Sequence, residues 1–229
     1  FPFSFLNSTM VSLGFCPNWF FQYSIFFELA FAIITLFVAF QSFRIYKLTK
    51  EKSPMLFGVA FLLLSLSYFI QSTLNFEILH KLSQNVDVLQ NISQVINLGL
   101  NALYTHMIFT LAALVLLIFI TLKTKSPKTF ILLLTISLLP IYLGRDPVHT
   151  FFVLSSTFEV FIAYHYLRNY LKNRHIPNLL VFIAFLLLLI SDIHFIFSLN
   201  HNIFYVLGHF LELFAYLFIL INLVWVLKK

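Results

Sequence analysis

Charge is scarce in this chain: 10% of its 229 residues are Asp, Glu, Lys or Arg, against 61% hydrophobic residues. A soluble domain of this length cannot hide so much apolar surface, so the expected solvent is lipid. Cysteine is nearly absent as well. The single Cys16 excludes an intrachain disulfide and any CxxC redox or zinc motif. Glycine is limited to five residues, and no paired prolines fall in equivalent helices, which speaks mildly against hinged alternating access. Sequence motifs of soluble catalysis are missing too. There is no GxGxxG, P-loop, HExxH or GxSxG, and no helix carries two His at the thirteen- or fourteen-residue spacing of multi-haem four-helix cytochromes. No stretch resembles a cleavable signal peptide with a basic leader. The chain starts at Phe1 rather than Met, so its N-terminus is expected to be processed, trimmed or incomplete.

What is present is a series of apolar runs. Their length predicts an all-α bundle of seven transmembrane helices, at roughly 20–43, 55–75, 95–122, 129–144, 148–167, 178–198 and 203–227. The fourth is short, with Pro140 near its end. The net charge of +6 would suggest nucleic acid in a soluble chain, but its distribution points to a lipid bilayer instead. Twelve of the 14 Lys and Arg residues fall at one end of the alternating segments: Arg44 to Lys52, Lys123 to Lys128, Arg168 to Arg174, and the final Lys228 and Lys229. Only Lys81 and Arg145 lie opposite. The positive-inside rule then places the N-terminus outside and the C-terminus in the cytoplasm. With such compact loops, a prokaryotic cytoplasmic membrane is the expected location. Sequons at Asn7 and Asn91 fall outside in this topology. Between segments 2 and 3, residues 76–94 space Ile78, Leu79, Leu82, Val86 and Leu89 at helical intervals. That stretch reads either as a short surface helix or as an ordered loop.

The chain also contains an internal similarity. "AFQSFRIYKLTKEKSPMLFGVAFLLLSLS" (39–67) aligns without a gap on "AYHYLRNYLKNRHIPNLLVFIAFLLLLIS" (163–191), at an offset of 124. Arg44, Tyr46, Ala60, Phe61 and Ser67 meet Arg168, Tyr170, Ala184, Phe185 and Ser191. Segments 3 and 7 can be superposed on His106 and His209, which brings Ala112 onto Ala215. The expected organisation is one membrane domain with a parallel 3+1+3 repeat: residues 20–122, a linker helix at 129–144, and residues 148–227. This layout resembles that of the small sugar facilitators called SWEETs and, more loosely, that of seven-helix opsins. The resemblance is architectural, and no functional residue is carried over from either family. Segment 7 has no lysine for a retinal Schiff base. Seven-helix zinc hydrolases of the ceramidase and adiponectin-receptor type carry HxxxH in their last helix, where this chain reads "HFLEL".

Ionisable groups inside hydrocarbon cost a few kcal/mol each, so every one needs an account. Here they are Glu28, His106, Glu159, His165, Asp192, His194, His209 and Glu212, and no Lys or Arg lies deep in any segment. Four acids without a basic partner must be protonated, paired with histidine, or neutralised by a bound cation. Asp192 and His209 are nearly level across the segment 6–7 hairpin, so His209 is expected to pair with Asp192 or with Glu212. His194, two residues from Asp192, cannot face inward with it. Tyr205, His209, Glu212 and Tyr216 form one stripe, Gly99, Ala102, His106, Thr110 and Ala113 another, and Ser24, Glu28, Ala32 and Thr35 a third. Glu159 is expected to bond Ser155 or Ser156, and His106 a backbone or Thr oxygen on a neighbouring helix.

Imidazole and carboxylate together suit a transition metal or haem b. The expected site lies in the outer half of the bundle. His106 and His209 are its cofactor ligands, and Asp192, Glu212 and Glu28 are metal ligands or partners of the rings. Electron transfer, metal handling or sensing would follow, with enzymatic turnover not expected. Two alternatives come from other classes. One is a SWEET-like facilitator or proton-coupled carrier with its solute site at the repeat axis. The other is a receptor-like or assembly subunit, acting as a homo-oligomer or in a membrane complex, with a dry, filled centre in which every acid is bonded.

Overall fold

The structure is a computed structural model that describes residues 17, 19–83, 88–124, 126–198 and 201–228. Asn7, Cys16, Lys125, Lys229 and the side chains of residues 82–92, Asn91 among them, lie outside the described residues. Seven helices and no strands are found among the described residues: α1 (Phe21–Thr49), α2 (Lys52–Ser83), α3 (Val88–Thr121), α4 (Pro127–Leu143), α5 (Pro147–Asn173), α6 (Ile176–Ser198) and α7 (Ile203–Lys228). Five of them, α1, α2, α3, α6 and α7, are long and apolar enough to cross a membrane. α4 is apolar but has 17 residues, about 25 Å of helix against a hydrocarbon core of about 30 Å. The chain is an integral, multi-pass helical membrane protein.

The arrangement of side chains fits a lipid solvent. Along α1, Ser24, Glu28, Thr35 and Ser42 are buried, while Tyr23, Phe26, Phe37 and Phe40 face outward. Phe26 is 70% exposed and Leu143 on α4 is 77% exposed. Polar groups turn inward and large apolar groups turn outward, as expected where the surroundings offer no hydrogen bonds.

The helices overrun the apolar segments that mark them. α1 continues six residues past position 43 and stops where Lys50 takes a left-handed conformation, φ 60°, with its N–H on the Tyr46 carbonyl. α5 ends in the same way at Arg174, φ 53°, on the Tyr170 carbonyl. α5 begins with Asp146, whose side chain accepts from the His149 N–H, followed by Pro147. Residues 76–83 continue α2, and residues 88–94 already belong to α3, so neither a separate surface helix nor a long loop forms there. Packing explains this. Ile78 and Val95 are buried, and Ile78 lies beside Gly99 of α3, so at Ile78 the helical spacing serves a helix–helix contact.

Six helices close a ring in the order α1, α2, α3, α5, α6, α7, and α4 packs on the outside, chiefly against α3 and α5. Contacts are densest within α1–α2–α3 and within α5–α6–α7, and sparser at the two seams, α1 with α7 and α3 with α5. Serines tie α1 to α2: Ser42 Oγ donates to the Pro54 carbonyl at 2.7 Å, Ser65 to Ala32 at 2.8 Å and Ser72 to Ile25 at 3.2 Å.

Helix ends and buried positions follow the offset of 124. α1 and α5 end at Thr49 and Asn173, and α2 and α6 begin at Lys52 and Ile176. Buried Val38, Ala39, Ala60, Phe61, Leu64 and Ser67 meet buried Ile162, Ala163, Ala184, Phe185, Leu188 and Ser191. For α3 and α7 the structure corrects the register. Superposing His106 on His209 would set buried Leu111 against Phe214, which faces outward. One residue less, an offset of 102, matches buried Met107, Ala113, Leu114 and Leu117 to buried His209, Ala215, Tyr216 and Ile219. A hydrogen bond shows the same register: Ser67 Oγ reaches the His106 carbonyl at 3.2 Å, and its counterpart Ser191 reaches the Gly208 carbonyl at 2.9 Å. One residue turns a helix by about 100°, so the two imidazoles do not occupy equivalent positions.

Gly208 shows how tightly α6 and α7 meet. A Cβ there would lie 2.8 Å from the Phe195 ring, which is itself stacked on Phe152 and edged by Tyr205 and His209. With its neighbours fixed, that ring has nowhere to go. Gly208→Ala is therefore expected to destabilise the bundle by about 1–3 kcal/mol, read as a lower Tm of the detergent-purified protein.

Candidate functional site: an acid-lined chamber

Inside the ring lies a cavity of about 200 Å3. It starts at the end of the bundle away from the basic loops, where exposed His149 sits at its mouth beside the ends of α2, α3 and α6. It ends inward on an apolar floor of Phe61, Leu64, Leu117, Phe185 and Leu188. Beyond the floor, a second cavity of about 240 Å3 opens toward the basic end, lined by Ser42, Pro54, Asn178 and Asn222 among others.

All four acids expected within the spans line the first cavity: Glu28 from α1, Glu159 from α5, Asp192 from α6 and Glu212 from α7. Three of them have neutral donors. Glu28 accepts from Asn75 Nδ2 at 2.9 and 3.0 Å. Tyr68 OH donates to Glu212 Oε1 and lies 2.7 Å from Tyr216 OH, which is 3.4 Å from the same carboxyl oxygen. Ser155 Oγ donates to Asp192 Oδ2, and Glu159 is a neighbour of Asp192 across the α5–α6 contact. These hydroxyl and amide donors let carboxyl groups sit in an apolar bundle without Lys or Arg.

The histidines take different roles. His106 Nδ1 is 2.9 Å from Ser67 Oγ, which also lies 3.3 Å from Thr110 Oγ1, and its ring packs on Tyr68 and Phe151. His209 is enclosed by Phe20, Phe27, Phe31, Phe195 and Tyr205, with centroids 4.6–6.0 Å away. Neither of its ring nitrogens has a hydrogen-bond partner. The nearest carboxyl is Glu212, with Nδ1 to Oε2 at 3.6 Å. His194 turns its Nδ1 to the Ile190 carbonyl at 2.7 Å and packs on Phe204, away from this set.

The chamber thus gathers His106, His209, Asp192, Glu212 and Glu28, and splits them among different partners. Of the two carboxyls expected for His209, Glu212 is the one beside it, while Asp192 turns to α5 and accepts from Ser155. Glu159 bonds neither Ser155 nor Ser156, since Ser155 is taken by Asp192 and Ser156 returns to the Phe152 carbonyl at 2.6 Å. Its Oε2 has no partner. Among the described residues no three His, Cys, Asp or Glu form a group able to hold a metal ion. Tyr68 and Asn75, the donors to Glu212 and Glu28, are absent from the sequence reading. A signal for Tyr68 exists: at offset 124 it falls opposite Asp192, one residue past the aligned block.

Comparison with family models, curated proteins and solved structures finds no match for this chain. The chamber itself carries the functional argument.

Tyr68→Phe removes the donor to a buried carboxyl group. It is expected to cost about 1–3 kcal/mol, read as a lower Tm, whereas Tyr23→Phe on the lipid-facing side of α1 should change stability by less than about 0.5 kcal/mol.

Proposed function

We propose that the protein is a membrane carrier or facilitator whose solute site is the acid-lined chamber. The observation that carries this reading is the pair of cavities stacked along the bundle, each reaching a different end and divided by a floor of apolar side chains. Phe61 and Leu64 from one half oppose Phe185 and Leu188 from the other, at positions matched by the offset of 124. In this reading the halves form the parallel repeat, the floor is the closed gate, and the acids carry protons coupled to the solute. Few glycines are available for hinges. Access then changes by rocking the halves as rigid bodies about their sparse seams, α1–α7 and α3–α5. The basic end faces the cytoplasm by the positive-inside rule, so the chamber faces outward at rest.

A second reading keeps a transition metal in the chamber. Its support is His209, whose two unpartnered nitrogens lie near Glu212. Two protein donors leave the rest of a coordination shell to water or solute. Elemental analysis and a visible spectrum separate the readings: stoichiometric metal or a Soret band would replace the carrier.

Proteoliposomes containing a trapped pH indicator test the carrier directly. Under an imposed pH gradient, a panel of small cationic, neutral and anionic solutes is expected to include at least one that drives saturable, protein-dependent flux. Leu188→Trp, which thickens the floor, should reduce that flux at least fivefold. Absence of flux with every solute, from protein of unchanged Tm, would contradict the proposal.

A further inference from the structure

The offsets that match the two halves also sort their polar groups. At 124, Thr35 corresponds to Glu159 and Tyr68 to Asp192; at 102, Thr110 corresponds to Glu212. Where α1, α2 and α3 carry three hydroxyls, α5, α6 and α7 carry three carboxyls. Thr35 spends its hydroxyl on its own helix, on the Phe31 carbonyl at 2.6 Å, while Tyr68 and Thr110 line the chamber. The α5–α6–α7 wall therefore carries three carboxyls, and the facing wall carries one, Glu28, which is held by Asn75. We propose that the chamber's occupant is a small organic cation, a protonated amine, with its ammonium group on the Glu159–Asp192–Glu212 wall. This rests on the chamber being the solute site.

Three features select an amine. The lining contains no Lys or Arg, so nothing there complements an anion. His209 is 6% exposed, lines the chamber, and keeps both ring nitrogens unpartnered, so a neutral imidazole offers an unused acceptor. Glu159 Oε2 is a second one. Size decides against a bare metal ion. A zinc-type ion draws its ligands to about 2.0–2.3 Å, and no group of the described residues is that close-set. An ammonium reaches acceptors at about 2.7–3.0 Å in diverging directions, which suits carboxyls arriving from three separate helices. Phe61, Phe151, Phe152 and Phe185 supply aromatic and apolar surface for a short hydrocarbon tail and for cation–π contact.

Calorimetric titration of the purified full chain near neutral pH, at constant ionic strength, tests this with three isosteric probes: n-butylammonium, n-butanol and butyrate. Butylammonium is expected to bind saturably at one site, and butanol and butyrate at least tenfold more weakly. Glu212→Gln and Asp192→Asn should each weaken butylammonium at least tenfold, and Leu143→Ala on the outer face of α4 should leave it unchanged. If either variant fails to fold, Glu159→Gln takes its place. Equal binding of butanol or butyrate, no saturable butylammonium binding by folded protein, or indifference to the acid substitutions would overturn the assignment. The outcome is separable from the fate of the carrier. Flux of a neutral solute without amine binding ends the cation site and keeps carriage, whereas amine binding without flux supports the site and ends carriage.

Discussion

The arrangement depends on how four carboxyl groups survive in a bundle that has no intramembrane Lys or Arg. In hydrocarbon a carboxyl left without donors costs several kcal/mol, enough to prevent a helix from inserting. Here three of the four draw a donor from another helix: Asn75 of α2 to Glu28 of α1, Tyr68 of α2 to Glu212 of α7, Ser155 of α5 to Asp192 of α6, while Glu159 keeps an oxygen without a partner. These bonds fix which helices are neighbours and which faces turn inward. They also leave acceptor capacity unused, and that surplus gives the central cavity its chemistry. A bundle closed only by Leu and Phe would be as stable in lipid and would have nothing to offer a solute.

Much of the fold was legible because lipid imposes a coarse rule: long apolar runs become helices. All seven segments appear as helices. Their ends were misjudged because hydropathy marks where lipid lies, while a helix runs on into water until a residue such as Lys50 or Arg174 leaves helical geometry. Residues 76–94 were misread for the same reason. Ile78, one of the spaced apolar residues, packs beside Gly99 of α3 rather than on a membrane surface.

The candidate site was legible as faces and illegible as partners. The stripes through Glu28, His106 and His209 do turn toward the chamber, since helical spacing alone decides which residues share a face. Pairing depends on rotamer and on sub-turn register, neither of which sequence spacing resolves. Asp192 was level with His209 and still bonded Ser155, across a different interface. The one-residue error between α3 and α7 made His106 and His209 look equivalent, when His106 corresponds to Gly208. That superposition suggested a symmetric two-imidazole site, whereas burial sets Thr110 rather than His106 level with an acid of α7.

The central claim is that the bundle interior holds a polar space reached from one side only. Its most direct test is thiol accessibility in sealed vesicles, in a Cys16→Ser background with Cys introduced at Thr110, on the chamber wall, or at Ala113, packed in the core. A small membrane-impermeant thiol reagent should modify the cysteine at position 110 from the side opposite the basic loops and leave position 113 untouched. Equal protection of both positions would mean a dry, filled interior, and labelling of 110 from the basic side would mean that the floor does not close; either result contradicts the account.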